Sequence, residues 1–183
     1  VQDMEAERTI AKLRGTIDAA IRPLIDRDFR LLEVPDYANP GDMLIFQGER
    51  SFFRTIPYRC LEASTIASFL ARRPRIPKED LLVFSGGGYF GDLWPRGPLF
   101  QKAMLERYPE NPMLILPQSS FFADRSHLEE SVARYGNHPN LTICLRDGWS
   151  FEFVRTHFRN RSVLVPDMAF YADLSCFRNA TPR

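Results

Sequence analysis

The stretch Leu81–Pro95, LLVFSGGGYFGDLWP, breaks an apolar run on three glycines and resumes as an aromatic and acidic segment closed by proline. A short unbroken run of Leu, Val and Phe bounded by glycine suits a strand buried on both faces of a parallel sheet. Gly86, Gly87 and Gly88 at its carboxyl end admit positive φ and let backbone N–H groups approach a ligand closely. Ligands of open α/β sheets bind outside the carboxyl ends of the strands, so the segment reads as an active-site loop rather than a plain turn.

Outward from this stretch the chain repeats strand, loop and helix. Met4–Leu24 carries apolar residues every three or four positions, one face of an amphipathic helix, and residues 1–28 read as a helix packing on a domain that occupies 29–183. Phe29–Val34 is a first strand that runs into the loop PDYANPGDM, after which Leu44, Ile45, Gly48, Phe52 and Phe53 share a helix face. Asn39, Gly41 and Asp42 then lie at a strand's carboxyl end, in the layer of the glycine loop, with Asp42 either capping the helix or serving chemistry. Tyr58–Ala63 is a weaker strand and Thr65–Arg72 a short helix stopped by Pro74. Downstream come helix Leu99–Tyr108, strand Met113–Leu116, helix Ser126–Tyr135 with Ser126 and Glu129 as a capping box, strand Leu141–Leu145, helix Trp149–Phe158 and strand Ser162–Val165. The alternation defines an α/β fold, a Rossmann-like parallel sheet flanked by helices.

Four apolar strands end in a polar or glycine signature: GGG after Phe84, PQS after Leu116, RD after Leu145 and PD after Val165. Burial requires strands to stop, but not to stop at Gln118, Ser119, Arg146, Asp147 and Asp167. Gathered along one sheet edge, such side chains border one cleft.

The totals exclude several classes. A length of 183 residues supports one core, and 44% hydrophobic with 26% charged residues is ordinary for a soluble globular domain. A net charge of +1 argues against nucleic-acid binding through a general basic field. No apolar run nears a membrane span and VQDMEAERTI has no signal-peptide core, so the cytoplasm is the expected compartment. Cys60, Cys144 and Cys176 lack a pairing or CxxC pattern, and His127, His138 and His157 lack ligand spacing, so neither disulfides nor a metal site is expected. Among 24 basic residues only Lys12, Lys78 and Lys102 are lysine, a bias that reflects either coding or a demand for rigid forks that grip carboxylate and phosphate.

Gly86, Gly88 and Gly91 satisfy GxGxxG, yet Tyr89 and Phe90 intervene, and Pro95 and Gly97 postpone the helix. No acidic residue ends a strand about 20 residues on, as dinucleotide binding requires. Lys102 is too distant for a Walker lysine, and Ser119 and Ser120 have no GxSxG elbow. What survives is an anion-cradling backbone without nucleotide-specific parts.

Five blocks in order, NPGDMLIFQGE at Asn39–Glu49, GGGYFGDLWP at Gly86–Pro95, LPQS at Leu116–Ser119, LRD at Leu145–Asp147 and PDMA at Pro166–Ala169, resemble the polysaccharide pyruvyl transferase family. The resemblance covers roughly 29–169. It implies transfer of pyruvate from phosphoenolpyruvate onto sugar hydroxyls as a ketal, in bacterial exopolysaccharide or cell-wall polymer synthesis, without cofactor or metal. It also implies a fold similar to the first half of the two-domain GT-B glycosyltransferases, the donor-holding Arg and His residues belonging to a second domain. The implied partners are phosphoenolpyruvate and an oligosaccharide or lipid-linked saccharide, which would bring the protein to the inner face of the membrane; a homo-oligomer is left open. Tyr89 departs from the family pattern, which usually has Asn directly after the glycines, and this bears on acceptor specificity.

Ketal formation from an enol phosphate needs an acid for the methylene carbon, a base for the attacking hydroxyl and fixed donors for carboxylate and phosphate. Asp42 and Asp147 are the expected catalytic pair. Arg146 and the Gly86–Gly88 backbone suit the anion, with Asn39, Gly41, Tyr89, Asp92, Gln118, Ser119 and Asp167 completing the substrate-binding set. Tyr89, Phe90 and Trp94 suit stacking on a sugar, although Phe90 and Trp94 equally suit the core. The acid has no candidate. Two other readings stand beside this one: a GT-B-type glycosyltransferase half using a nucleotide sugar, and a non-catalytic carbohydrate-binding domain.

Overall fold

The computed structural model describes residues 2–173 and leaves Cys176 outside them. Seven strands, β1 (Phe29–Leu32), β2 (Cys60–Ala63), β3 (Leu81–Phe84), β4 (Gly87–Gly91), β5 (Met113–Phe121), β6 (Leu141–Leu145) and β7 (Arg161–Leu164), form one sheet in the order β2-β1-β3-β5-β6-β7, with β4 paired to β5. Every pairing is parallel. The helices are α1 (Gln2–Ile21), α2 (Pro40–Phe53), α3 (Ile66–Arg72), α4 (Arg96–Arg107), α5 (Arg125–Gly136) and α6 (Gly148–His157), and a 3-10 turn spans Met168–Tyr171.

Period-two alternation along the strands divides the core between two faces. Leu82, Phe84, Met113, Ile115, Ile143 and Leu145 point to the face covered by α3, α4, α5 and α6, where Phe69, Phe100, Tyr135 and Val154 pack. Phe29, Leu31, Leu81, Val83, Leu114 and Leu116 point to the other, against Ile17 and Ile21 of α1, Ile45 and Phe52 of α2, and Met168. Strands covered on both sides read as continuous apolar runs, which is why they were visible in the sequence. The amino-terminal helix joins this core through its last turns only. Arg14 donates to the carbonyls of Phe170 and Ala172, and residues 4–12 are exposed. Among the described residues no helix is long and apolar enough to cross a membrane.

Two boundaries differ from the sequence reading. The glycine stretch is a strand: the chain leaves β3 at Ser85, kinks, and resumes alongside β5 as β4, with Gly87 opposite Gln118 and Phe90 opposite Ser120. Strand β5 accordingly runs on to Phe121, which places Gln118 and Ser119 inside it rather than in a loop beyond it. The expected Ser126–Glu129 capping box is replaced by Asp124, which accepts from the amides of Ser126 and His127, while Glu129 pairs with Arg125.

From β1 the chain crosses outward to β2 and then back past β1 to β3. The connections leaving β1 and β3 therefore diverge, and a doubly wound sheet opens its crevice at that point.

Candidate active site

One wall of the crevice is built by the turn from β1 into α2. Asn39 caps α2, its Oδ1 accepting from the Gly41 amide at 2.9 Å, and Pro40 follows at the first helical position. Asp42 is thus not the cap. Its Oδ2 accepts from Asn39 Nδ2 at 2.7 Å and from the Tyr37 hydroxyl at 2.9 Å, which fixes a half-buried carboxylate in the first turn. Burial first, and then Asp42, pushes the Tyr37 phenol up to about 12, so it acts as a donor.

The second wall is the joint between β3 and β4. Glu49 of α2, fully buried under the joint, accepts from the Gly86 amide at 2.7 Å and from the Ser85 hydroxyl at 2.9 and 3.0 Å. Burial nevertheless raises its carboxyl to about 8. Gln118, also fully buried, donates to the Ser85 carbonyl at 2.9 Å and accepts from the Tyr89 amide at 3.3 Å. The polar groups of Gly86 and Gln118 are spent on holding the joint, and Gly87 lies in register with β5, so these three do not form the anion cradle or sugar contact expected of them. Of the three glycines only Gly88 lines the crevice, where a Cβ would stand 3.0 Å from Arg146 Nη2.

Tyr89 is not an open stacking platform. Its ring fills the space that a Cβ on Gly87 or on Gly97 would need, 2.6 Å away in each case, and its hydroxyl donates to the Ser85 carbonyl at 2.7 Å. Phe90 belongs to the core and Trp94 is 62% exposed at the crevice. Asp92 accepts from the amides of Ala123 and Asp124 and so clamps the ends of β4 and β5 away from the crevice.

The floor is a chain of polar side chains along β5, β6 and the segment after β7. Arg146 donates from Nε to Ser119 Oγ at 2.8 Å and from Nη1 to Asp167 Oδ2 at 2.6 Å. Ser119 in turn donates to Asp147 Oδ2 at 2.9 Å, and Asp167 accepts from the Ala169 amide, capping the 3-10 turn. Asp147 caps α6, accepting from the Ser150 amide and hydroxyl at 2.8 Å each. Burial acts to raise its carboxyl, but the hydrogen bonds from Ser150 and Ser119 and the charge of Arg146 outweigh that and hold it below the ordinary range. Asp147 therefore stands one hydrogen bond behind Arg146, linked to it through Ser119, and is not on the cavity wall.

The crevice encloses a cavity of about 670 Å³ that brings together Asn39, Asp42, Gly88, Tyr89 and Arg146 of the expected residues. Ser119, Asp147 and Asp167 stand behind Arg146, leaving its Nη2, which has no acceptor among the described residues, turned toward Gly88. Gly41, Gly86, Gly87, Asp92 and Gln118 are not on the wall. Sequence reasoning missed Glu33 on the cavity wall and Glu49 beneath it. The available signal was an acidic residue closing the apolar run FRLLE, and Glu49 inside a block already singled out.

A parallel sheet with a topological switch point, flanked by helices and with an arginine on the wall of its crevice, is a Rossmann-like α/β domain. Residues 25–182 match the polysaccharide pyruvyl transferase family, and the chain belongs to that family. It is 30% identical over 159 residues to EpsO of Bacillus subtilis, named as a pyruvyl transferase, covering 86% of this chain and 48% of that protein. It is 29% identical over 164 residues to pyruvyl transferase 1 of Schizosaccharomyces pombe, covering 83% of this chain and 40% of that protein. The chain thus spans about half the length of these relatives. The fold matches the crystal structure of an uncharacterized protein of Klebsiella pneumoniae with a TM-score of 0.65 at 17% identity, covering 93% of this chain and 61% of that one.

Proposed function

We propose that this chain forms one wall of the active cleft of a transferase that moves pyruvate from phosphoenolpyruvate onto two hydroxyls of a sugar in a bacterial exopolysaccharide or cell-wall polymer. The observation that carries the reading is the guanidinium of Arg146, fixed by Ser119 and Asp167 so that Nη2 is left toward Gly88 at the cavity. A planar fork held on one side presents its remaining N–H groups in a set direction, which suits the carboxylate or phosphate of the donor. Asp42, oriented by Tyr37 and Asn39, takes the proton of the attacking sugar hydroxyl, and Trp94 offers its exposed face to the sugar. The relatives extend to about twice this length, and we place the opposite wall of a GT-B-like cleft in their remaining half. The work would take place on the cytoplasmic side of the membrane that carries the growing saccharide.

Phosphate release from phosphoenolpyruvate, followed with a saccharide acceptor and the full-length protein, tests this. Arg146→Ala is expected to lower kcat/KM for phosphoenolpyruvate about 100-fold, the scale of removing one fixed charged donor. Turnover with a nucleotide sugar in place of phosphoenolpyruvate would identify a glycosyltransferase instead.

A further inference from the structure

Glu33 is a buried acid on the cavity wall that the reading above leaves without a role. It directly follows β1 with φ 63, a conformation that Asn or Gly adopts readily and a longer side chain does not, so its placement is imposed by packing. Gln101 of α4 donates to Oε2 at 2.7 Å, and that amide is oriented by the Tyr135 hydroxyl, which donates to its other end at 2.8 Å. The Tyr89 hydroxyl lies 3.3 Å from the same Oε2 but 2.7 Å from the Ser85 carbonyl, and its one proton serves the shorter contact. Oε1 is buried and has no hydrogen-bond partner among the described residues, 3.3 Å from the place of a Cβ on Gly97, another cavity residue.

Among the described residues no positive charge acts on it to stabilise an anion. Glu49 adds repulsion from α2, Tyr89 and Tyr135 are phenols held protonated by burial, and Tyr37 is committed to Asp42. Arg96, at the start of α4, is held by both oxygens of Asp36 at 2.9 and 2.8 Å. Burial, and secondarily Glu49, raises the Glu33 carboxyl to about 8 against the pull of Gln101 and Tyr89. The carboxyl is a neutral acid at neutral pH whose hydroxyl needs an acceptor, and the cavity is where one can come from.

We propose that Glu33 is the general acid that protonates the methylene carbon of the enol phosphate. This rests on the reading of the chain as a phosphoenolpyruvate-dependent transferase. The O–H bond of Glu33 breaks and the π electrons of the enol form a C–H bond, which leaves an oxocarbenium at the neighbouring carbon. The first sugar hydroxyl adds there and gives its proton to Asp42. Phosphate departs with the electrons of its C–O bond, and the second hydroxyl closes the ketal. Asp42 passes the first hydroxyl's proton to the departing phosphate and the second hydroxyl's proton restores Glu33, so both acids regain their starting states and phosphoenolpyruvate and a diol give a methyl-bearing ketal and phosphate without any redox partner.

The test is the pH dependence of steady-state turnover of the full-length protein with phosphoenolpyruvate and a saccharide acceptor, for wild type, Glu33→Gln and Glu33→Asp. Glu33→Gln keeps the shape and is expected to lose about 100-fold or more in kcat while KM for phosphoenolpyruvate changes little. The wild-type rate is expected to fall above about pH 8, Glu33→Asp to retain part of the rate, and the residual Glu33→Gln rate to lack that basic limb. A Glu33→Gln enzyme turning over like wild type, or keeping the limb, overturns the assignment and leaves the transferase reading standing. A wild type that never consumes phosphoenolpyruvate overturns both. Should Glu33→Gln fail to fold, carbon NMR titration of the wild-type carboxyl decides, and an ordinary carboxylate titration would overturn the proposal.

Discussion

Arg146 owes its direction to neighbours from three places in the sheet, Ser119 inside β5, Asp147 after β6 and behind it, and Asp167 after β7. That dependence is testable without touching the arginine. Ser119→Ala removes the Nε acceptor and the tie to Asp147, and is expected to raise KM for phosphoenolpyruvate several-fold while the fold persists. Arg146→Lys is expected to behave like Arg146→Ala, because an ammonium cannot reach Ser119, Asp167 and a ligand with one planar group. A lysine variant with wild-type KM would show that only the charge matters. The buried acids have a separate signature. Glu33 and Glu49 are both raised from 4.5 to about 8, so between those values the folded protein keeps protons that the unfolded chain has released. Stability must then fall as pH rises through that window, by at most about 1.4 kcal/mol per pH unit for each group. Denaturant melts of wild type and Glu49→Gln at pH 5 and pH 8 are expected to show a smaller loss in the variant, whose amide oxygen still accepts from Gly86. Equal losses would mean that Glu49 is ionised in the folded protein.

At the scale of elements, the decisive feature is that the glycines build a broken strand and not a loop. Gly91 has φ 148, and a Cβ there would stand 1.7 Å from the Phe121 carbonyl of β5. The same closeness occurs where α2 crosses the 3-10 turn, since a Cβ on Gly48 would stand 1.8 Å from the Met168 carbonyl. Neither obstacle is a flexible side chain, so Gly91→Ala and Gly48→Ala are each expected to cost about 3 kcal/mol or more. Gly15, inside α1 with nothing among the described residues within 4 Å, is the control: Gly15→Ala is expected to stabilise by about 0.5–1 kcal/mol. The strands β3, β5 and β6 were legible because burial on two faces writes an unbroken apolar run. Strand β4 was not, because its residues were chosen for what passes beside them, the ring of Tyr89 and the backbone of β5, and glycine written for close approach looks like glycine written for a turn.

For the whole molecule, the order β2-β1-β3-β5-β6-β7 puts the crevice between the ends of β1 and β3, after which the family-like blocks Asn39–Glu49 and Gly86–Pro95 begin. The place of Arg146 and Asp42 on the crevice wall could be read from the sequence because polar residues beyond the ends of apolar strands have no packing reason to be there. Gln118 and Asp147 carried the same signal and proved to face inward, one tying β5 to the joint and the other capping α6. Strand-end position says which edge a residue occupies, and only the hydrogen bonds say which way it turns. Glu33 was hidden for the opposite reason, an acid inside an apolar segment whose burial becomes evident once α4 and β4 close over it. The central claim is that this crevice serves pyruvate transfer, and it is met most directly by following phosphoenolpyruvate labelled at its enol carbon through the reaction of the full-length protein with a saccharide acceptor. The label is expected in a methyl-bearing ketal carbon of the saccharide, with one phosphate released for each. Label that stays in phosphoenolpyruvate or appears as free pyruvate, while a nucleotide sugar is consumed, would contradict the account.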